Sequence, residues 1–441
     1  MNAERTQKTR KMQKSDWKKY KFSALGKIIT GKTPSTKKGQ VFGAFVPFLT
    51  PTDITNQRKI TCTARSLSQE GLSLVKNCLL PPNSICVTCI GSDMGKTVIA
   101  DRDIITNQQI NSIIINADIA VPLYVYYAFR ARKQEFLALG LAGSTMPILN
   151  KTTFSDLEIN LPPIEEQKRI AQILGALDDK IELLQKQNKT LEDMAKAIFK
   201  SWFVDFDVVH AKQKGLPKAD IMREYHLTDE LYDLFPSDFE NSALGPIPLG
   251  WQVKTVQDLG EVVCGKTPST SHKEFYGGNI PFITIPDMHD SVFANKTERY
   301  LTNEGEQSQP TKTLPPFSVC VSCIATPGLV TMTTTHSQTN QQINSVIPHN
   351  LEAKFYNYYV LRSVADQIRA QGSGGSVFVN LNKTAFSKIK VLWADQTLQE
   401  LFTKESEIYF DKILNNLKQI QTLTELRDTL LPPLISGKIR V

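Results

Sequence analysis

The 441-residue chain contains a tandem internal repeat, which constrains its fold more than any other feature of the sequence. The hexapeptide Gly-Lys-Thr-Pro-Ser-Thr begins at Gly31 and begins again at Gly265, 234 positions later. The heptapeptide Thr-Asn-Gln-Gln-Ile-Asn-Ser occupies 106–112 and again 339–345. Towards the end of each half the offset shrinks to 232, as between Asn150 and Asn382. So many identities in one order predict two halves with the same fold.

Each half is predicted to end in a long amphipathic helix. Between Glu165 and Phe203 there is no proline, and apolar residues recur at alternating intervals of four and three, the pattern of a helix that buries one narrow stripe. The apolar or seam positions are Ile170, Leu174, Leu177, Ile181, Leu184, Asn188, Leu191, Ala195, Ile198 and Trp202. The repeat predicts a second helix at about Gln396–Leu431, with Phe402, Tyr409, Ile413, Asn416, Ile420, Leu423 and Leu430 at its seam. We expect the two stripes to be buried against each other, and Asn188 and Asn416 to fix their register.

The lobes that precede these helices are predicted to be mixed and rich in β-strands, so the fold class is α+β. Short β-branched or aromatic runs lie between turn residues at 45–49, 84–90, 112–115, 280–285, 318–324 and 345–347. Each lobe also has one aromatic helical segment, at Leu123–Leu137 and Phe355–Ala370. The expected segments are a basic tail (1–15), a first lobe (16–164), a central helix (165–204), a connector (205–249), a second lobe (250–394) and a C-terminal helix with its tail (395–441).

Composition favours a cytoplasmic protein. No apolar run approaches the ~20 residues of a membrane span, and no apolar core follows the basic N-terminus as in a signal peptide. The seven cysteines are an odd number and are best explained as reduced thiols. The net charge of +7 permits nucleic-acid binding without requiring it. The basic residues before Trp17 form either a solvated tail or an arm that contacts phosphates.

An ordered set of motifs resembles one protein family. Leu161-Pro162-Pro163 and Glu165-Glu166-Gln167-Lys168-Arg169-Ile170-Ala171 open the first long helix, and Ser201-Trp202-Phe203-Val204-Asp205-Phe206-Asp207 closes it. Ile247-Pro248-Leu249-Gly250-Trp251 precedes the second lobe, and Leu430-Leu431-Pro432 and Ser436-Gly437-Lys438-Ile439 end the chain. Together with the repeat of lobe and helix, these motifs resemble the specificity subunit of type I restriction-modification enzymes over residues 16–441.

The resemblance implies a DNA-binding protein with no catalytic activity of its own. Each lobe is expected to be a target recognition domain that reads one half of a bipartite sequence in double-stranded DNA. The two long helices are expected to pair as an antiparallel coiled coil that sets the half-site spacing and docks two methyltransferase subunits. A translocating restriction subunit joins them in complexes that contain one. No cofactor or metal is expected on this chain, since S-adenosylmethionine belongs to the methyltransferase and ATP to the restriction subunit.

Two sets of polar residues, present in both lobes, are candidates for DNA contacts. The Gly-Lys-Thr-Pro-Ser-Thr loops combine a permissive glycine, a cation and three hydroxyls, so they are either phosphate grips or structural turns. Their candidate residues are Lys32, Thr33, Ser35, Thr36, Lys266, Thr267, Ser269 and Thr270. The second set consists of amides that either bond adenine in the major groove or cap strands. These amides are Asn107, Gln108, Gln109, Asn111, Asn340, Gln341, Gln342 and Asn344.

Sequence specificity is expected in the stretches where the two lobes diverge. These stretches lie near 37–45, 54–78 and 140–147 in the first lobe and near 271–279, 288–312 and 371–379 in the second. Since the lobes are otherwise alike, we expect half-sites that share bases when they are read on opposite strands.

Several motifs that suggest metal or phosphate sites are better interpreted as structure. Cys86-x-x-Cys89 and Cys320-x-x-Cys323 lie in β-branched runs, where positions three apart face opposite ways, so buried strand cysteines are expected. The stretch 91–97 is one residue short of a P-loop and is predicted to be a surface loop that touches DNA through Lys96. His289 and His336 lack partners at ligand spacing.

No amino-methyltransferase or nuclease motif is present, which argues against a fused enzyme. The alternative hypothesis is a scaffold whose lobes bind proteins while the helices assemble partners. Duplex binding that falls steeply with salt would distinguish the DNA-reading hypothesis from the scaffold hypothesis.

Overall fold

The computed structural model describes residues 16–36, 39–55, 57–91, 93–141, 148–289, 291–372 and 381–441. The chain divides into two compact units, Met1–Leu183 with Ile420–Val441, and Leu184–Gln419. Each unit combines one lobe with a segment of each long helix. The predicted basic tail at 1–15 lies outside the described residues, as do most of the divergent stretches near 140–147 and 371–379.

The first lobe is built on two sheets and a strand pair. The main sheet has the spatial order Gly26–Thr30, Ile110–Ile115, Ile85–Thr88, Thr97–Ala100 and Lys59–Ile60. The smaller sheet has the order Phe42–Gly43, Ser66–Leu67, Val46–Leu49 and Ile105–Thr106. Lys18–Lys21 pairs antiparallel with Glu158–Leu161. Helices occupy Gln69–Ser73, Pro122–Ala131, Lys133–Leu141 and Lys151–Asp156, and 3-10 turns occupy Phe22–Ala24, Pro51–Asp53 and Lys76–Cys78.

The second lobe repeats this order. Its main sheet runs Gly260–Cys264, Ile343–Pro348, Val319–Ser322, Val330–Thr333 and Phe293–Ala294, and its smaller sheet runs Arg299–Leu301, Tyr276–Ile283 and Gln338–Thr339. Gln252–Thr255 pairs antiparallel with Lys390–Trp393. Helices occupy Val256–Leu259, Asn303–Gln307, Lys354–Gly372 and Lys383–Ser387, and 3-10 turns occupy Lys273–Phe275, Ile285–Met288, Pro310–Lys312 and Leu351–Ala353. In both main sheets the last strand joins in parallel and the other pairs are antiparallel.

The predicted α+β class and the tandem lobes are confirmed. Each run that was predicted to be a strand overlaps an observed strand, and the bounds differ by a few residues. One helical prediction was wrong: the first lobe divides the segment Leu123–Leu137 between two helices. Arg132 ends the first helix with a non-helical φ of −101° and ψ of 12°. Its guanidinium donates to the Glu158 carbonyl at 2.8 Å, which ties the junction between the two helices to the strand Glu158–Leu161.

Repeated capping residues explain why short helices begin at the same places in both lobes. The side chains of Asn150 and Asn382 accept from the backbone N–H groups of Thr153 and Ala385, each at 2.9 Å, and so cap equivalent helices. The lobe cores are filled by aromatic and β-branched side chains, with Tyr124 and Tyr356 fully buried at equivalent places. Such burial is the main source of lobe stability.

The long helices span Ile164–Phe203 and Gln396–Ile435, so the second continues through Pro432 and Pro433 beyond its predicted end. Within the first unit the Arg440 guanidinium bonds Glu166 at 2.7 Å and Arg427 bonds Asp178 at 2.7 Å. Within the second unit Asn416 donates to Asn188 at 2.8 Å. In the second unit Phe199 also packs on Phe402. In each unit the residue numbers on one helix rise as those on the other fall, so the helices pair antiparallel, as predicted.

The segment between the halves is folded. It forms helices at Asp207–Gln213, Lys218–Glu224 and Asp229–Leu234, followed by a hairpin of Phe239–Ser242 and Gly245–Pro248. Phe206 starts it with a φ of 53°, a left-handed conformation that turns the chain after the long helix. Among the described residues, no helix combines the length and the hydropathy needed to cross a bilayer.

Candidate nucleic-acid interface

The Gly-Lys-Thr-Pro-Ser-Thr loop leaves the main sheet in the same way in each lobe. In the first lobe the Lys32 N–H donates to the Thr106 carbonyl at 2.9 Å, and in the second the Lys266 N–H donates to the Thr339 carbonyl at 2.9 Å. A Cβ on Gly31 would lie 2.2 Å from the Asn107 carbonyl oxygen, so this close approach requires glycine. The loop is therefore anchored by its backbone.

The side chains of the loop face solvent at equivalent positions. Lys32 and Lys266 are exposed, and the remaining exposed members are Thr33, Ser35, Thr36, Ser269 and Thr270, with Thr267 half-buried. Each lobe thus presents one cation beside a group of hydroxyls, a combination suited to phosphate oxygens.

A second contact joins this loop to the amide set. The Thr33 hydroxyl donates to Oε1 of Gln108 at 2.7 Å, and the Thr267 hydroxyl donates to Oε1 of Gln341 at 2.8 Å. Both glutamines are exposed, and with Oε1 occupied their Nε2 groups remain as donors. Each lobe therefore has a surface that we call the Lys-Thr-Gln patch: Lys32, Thr33 and Gln108 in the first lobe, and Lys266, Thr267 and Gln341 in the second.

The other amides of the set have partners inside the lobes. Asn107 Nδ2 donates to Gln109 Oε1 at 2.9 Å, and the equivalent Asn340 donates to Gln342 at 3.0 Å. Asn111 donates to the Leu149 carbonyl at 3.1 Å and Asn344 to the Leu381 carbonyl at 3.2 Å. These four asparagines therefore have partners within their lobes, while Gln108 and Gln341 face solvent.

Sequence reasoning missed a pair of aspartates that hold divergent stretches in place. Asp53 accepts from the Thr50 N–H at 2.8 Å and from the Ala64 N–H at 2.8 Å. Asp287 makes the same bonds to Thr284 and Glu298, both at 2.8 Å. Each carboxylate caps a 3-10 turn and also closes the divergent loop that follows it. The Thr-x-x-Asp capping box was visible in both halves and was the available signal.

Lys96 lies in the loop predicted to touch DNA, where its ammonium pairs with Asp93 at 2.8 Å. It is partly exposed, and Ser92 of the same loop is outside the described residues. Contact of Lys96 with DNA stays a prediction.

The four strand-associated cysteines are buried free thiols. Burial raises the pKa of Cys86 and Cys320 to about 12, and that of Cys89 and Cys323 to about 11. Such thiols are poor metal ligands and nucleophiles, since both roles need the thiolate. Within the described ranges no group of three or more His, Cys, Asp or Glu side chains is placed to hold a metal ion.

The predicted seam residues of the long helices differ in depth. Buried members are Ile170, Ile181, Leu184, Phe402, Ile413 and Asn416, while Leu177, Asn188, Leu191, Ile198, Tyr409, Ile420, Leu423 and Leu430 are half-buried. Phe410 and Leu431, each adjacent to a predicted seam position, are more deeply buried than Tyr409 and Leu430. The reason is visible at Phe410, which stacks on Phe355 of the lobe with 3.9 Å between the ring centroids. The helix is therefore covered on a second face.

Asn188 and Asn416 bond to each other at 2.8 Å within the second unit. Sequence reasoning missed the buried pair of Asp178 and Arg427 in the first unit. It also missed Tyr127, whose hydroxyl donates to Asp178 at 2.6 Å, and Arg362, which bonds Glu192 at 2.7 Å. Tyr127 and Arg362 attach each lobe to the first long helix.

Comparisons with known proteins agree on one family. The family model described as the type I restriction modification DNA specificity domain matches residues 14–193 and 248–393. The HindI specificity subunit of Haemophilus influenzae is 33% identical, over 96% of this chain and 100% of its own. The MjaIX specificity subunit of Methanocaldococcus jannaschii is 28% identical, over 97% of this chain and 94% of its own. The fold is similar to that of a type I S subunit from M. genitalium, with a TM-score of 0.52 and 16% identity over 96% of this chain and 97% of that one.

Proposed function

Since the chain belongs to the type I restriction-modification specificity subunits, which are non-catalytic DNA-recognition subunits, we propose that each of its lobes reads one half of a bipartite DNA target. The observation that carries this proposal is the Lys-Thr-Gln patch, which occurs once in each lobe with the same hydrogen bond between threonine and glutamine. Because the patch is identical in both lobes, it is assigned to the DNA backbone, which is common to all sequences.

Base reading is assigned to the divergent stretches. The stretches 54–64 and 288–298 each contain one strand of the main sheet, Lys59–Ile60 or Phe293–Ala294, and are closed by the same aspartate bonds. They share little sequence, so their exposed residues can differ in the bases they contact without a change of framework. The two stretches have the same length but different side chains, as expected for two lobes that recognise different half-sites.

The long helices are assigned two tasks, spacing and assembly. Each has 40 residues, about 60 Å at 1.5 Å per residue, and each continues without a break from residues of one compact unit into residues of the other. Such helices keep the separation of half-sites constant. They also dock two methyltransferase subunits, and a translocating restriction subunit where one is present.

The chain is proposed to work in the cytoplasm and to bind no cofactor itself. S-adenosylmethionine is carried by the methyltransferase subunits and ATP by the restriction subunit. The lobes supply hydrogen-bond donors and cations, which suit recognition of DNA.

The contact assignment is tested by measuring duplex affinity of the assembled complex against salt concentration. Each lost phosphate contact is expected to reduce the slope of log K against log salt by about 1. Lys32→Ala and Lys266→Ala are each expected to do so, and the double variant to lose about 2. Lys218→Ala is the matched control, since Lys218 pairs with Asp229 and Asp233 in the segment between the lobes. Unchanged slopes in both lysine variants would refute the assignment, and salt-independent binding would favour the scaffold hypothesis.

A further inference from the structure

The buried contacts between the two long helices differ in chemistry between the two units. In the first unit Arg427 donates to Asp178 at 2.7 Å, and the two side chains are only 9% and 6% exposed. Tyr127 also donates to Asp178, at 2.6 Å, and Asp428 accepts from Arg427 at 2.8 Å. This position is ionic, and its charges are paired on all sides.

The repeat places other residues at the equivalent position of the second unit. At the offset of 232, Asp178 corresponds to Phe410 and Arg427 corresponds to Ala195. Both Phe410 and Ala195 are fully buried in the core of the second unit. The bond between Asp178 and Arg427 joins an acid to a base. The repeat sets a large side chain, Phe410, which also packs on Phe355 of the lobe, against the small side chain of Ala195.

The two pairs are complementary only when unlike halves meet. Two first-half helices paired in the same antiparallel register would place Asp178 opposite Ala195, which removes the arginine and leaves unfilled volume. Two second-half helices would place Phe410 opposite Arg427, which overfills the site and leaves the guanidinium without its buried carboxylate. Tyr127 and Arg130, whose guanidinium lies 4.0 Å from the Asp178 carboxylate, belong to the first half and stay beside Asp178. The loss in a first-half pair therefore falls on the bond to Arg427 and on packing.

A second position obeys the same rule. Asn416 is buried and donates to Asn188 at 2.8 Å. The repeat equivalents are Leu184 for Asn416 and Ile420 for Asn188. Pairing of like halves would set each asparagine opposite an aliphatic side chain, so the buried amide of Asn416 and the half-buried amide of Asn188 would lose their partner.

From these contacts we infer that the long helices form an interface that accepts the unlike half and rejects the like half. Such discrimination matters here because the two halves share a fold and many identical residues, so their helices are otherwise natural partners for second copies of themselves. Under the proposed function, like pairing would join two copies of one lobe and read an inverted repeat instead of the asymmetric target. The inference itself concerns pairing and does not depend on DNA binding.

The test uses the full chain with a protease site inserted at the exposed hairpin turn, between Ala243 and Leu244. The purified protein is cleaved, unfolded in urea and refolded by dilution, so that the two fragments dissociate and then associate again. Native mass spectrometry then counts complexes of unlike and like halves, which differ in mass.

The wild-type protein is expected to give complexes of unlike halves. The double variant Asp178→Phe with Arg427→Ala copies the second position onto the first and is expected to raise the fraction of like pairs at least about tenfold, a factor that corresponds to about 1.4 kcal/mol. The reciprocal double variant, Ala195→Arg with Phe410→Asp, makes both positions ionic and is expected to give the same rise. It keeps the inference testable if the first variant does not refold.

The matched control is Arg427→Lys, which retains a base opposite Asp178 and beside Asp428 and is expected to keep pairing between unlike halves. Like pairs at random proportion in the wild type would overturn the inference. So would exclusive unlike pairing in both copied variants, or abundant like pairs in the Arg427→Lys control.

Discussion

Asp287 gives the sharpest test of how a divergent stretch is held in place. Its carboxylate accepts from the Thr284 N–H at 2.8 Å and from the Thr284 hydroxyl at 2.7 Å, which is a capping box. It also accepts from the Glu298 N–H at 2.8 Å, which closes the loop 288–298. The change to examine is Asp287→Ala, because it removes the cap and the loop closure together.

The magnitude follows from these bonds. A lost cap costs about 1 kcal/mol, and a hydrogen bond to a carboxylate contributes about 1.5–3 kcal/mol. Since Asp287 is half-buried and Glu298 is exposed, the lower figure applies to the loop bond. Asp287→Ala is therefore expected to lower the free energy of unfolding by about 2–3 kcal/mol.

Asp258 supplies the matched control. It forms the same capping box, with the Thr255 N–H at 2.7 Å and the Thr255 hydroxyl at 2.6 Å, but no described bond from its carboxylate closes a distant loop. Asp258→Ala is expected to cost about 1 kcal/mol. The difference between the two variants isolates the bond to Glu298.

The assay combines denaturant unfolding with amide hydrogen exchange resolved at Glu298. Loss of about 1.5 kcal/mol of local protection corresponds to a roughly tenfold faster exchange rate. We expect this increase at the Glu298 amide in Asp287→Ala and no change there in Asp258→Ala. Equal destabilisation by the two variants, with Glu298 exchange unaltered, would refute the reasoning.

Three further outcomes are expected. Hydrogen bonds from the Thr255 hydroxyl and N–H lower the pKa of Asp258, so its stabilising effect is complete above the unfolded pKa of about 4 and is lost as the pH falls through the lower folded value. The stability gap between wild type and Asp258→Ala should thus be constant from about pH 7 to 5 and close in more acid solution; a gap that persists there would contradict this. Replacing both Asn188 and Asn416 with leucine should leave the helix register ambiguous, seen as two distance populations between spin labels on the helices, and one sharp population would count against it. Maleimide should label the exposed Cys62 first while Cys86 stays unmodified until unfolding, because burial raises the pKa of Cys86 to about 12; equal labelling rates, followed by mass spectrometry, would disprove this.

Much of the fold could be predicted because both halves of the chain carry the same sequence pattern. The repeat, the helical periodicity and the turn residues gave the α+β class, the tandem lobes and both long helices. The exact buried face of the helices could not be obtained in this way. A heptad pattern describes a helix covered on one side, whereas Phe410 packs against Phe293, Phe355 and Tyr359 of the lobe.

Long-range polar contacts were also beyond sequence reasoning. Asp178 and Arg427 are far apart in the chain, and the repeat gives no hint of their pairing, since their equivalents are Phe410 and Ala195. For the candidate interface, the repeat identified the residues that both lobes share. It did not predict which of them are exposed to solvent. The same short motif contains Asn107, which bonds inside the lobe, and Gln108, which faces solvent.

The most direct test of DNA reading and spacing is long-read methylome sequencing of a methylation-free host that expresses this chain with its modification subunit. We expect a split methylated motif that requires this chain, and whose gap changes or whose methylation is lost when one heptad is inserted into Ile164–Phe203. Absence of any motif, although the chain and the modification subunit are shown to assemble, would contradict the account.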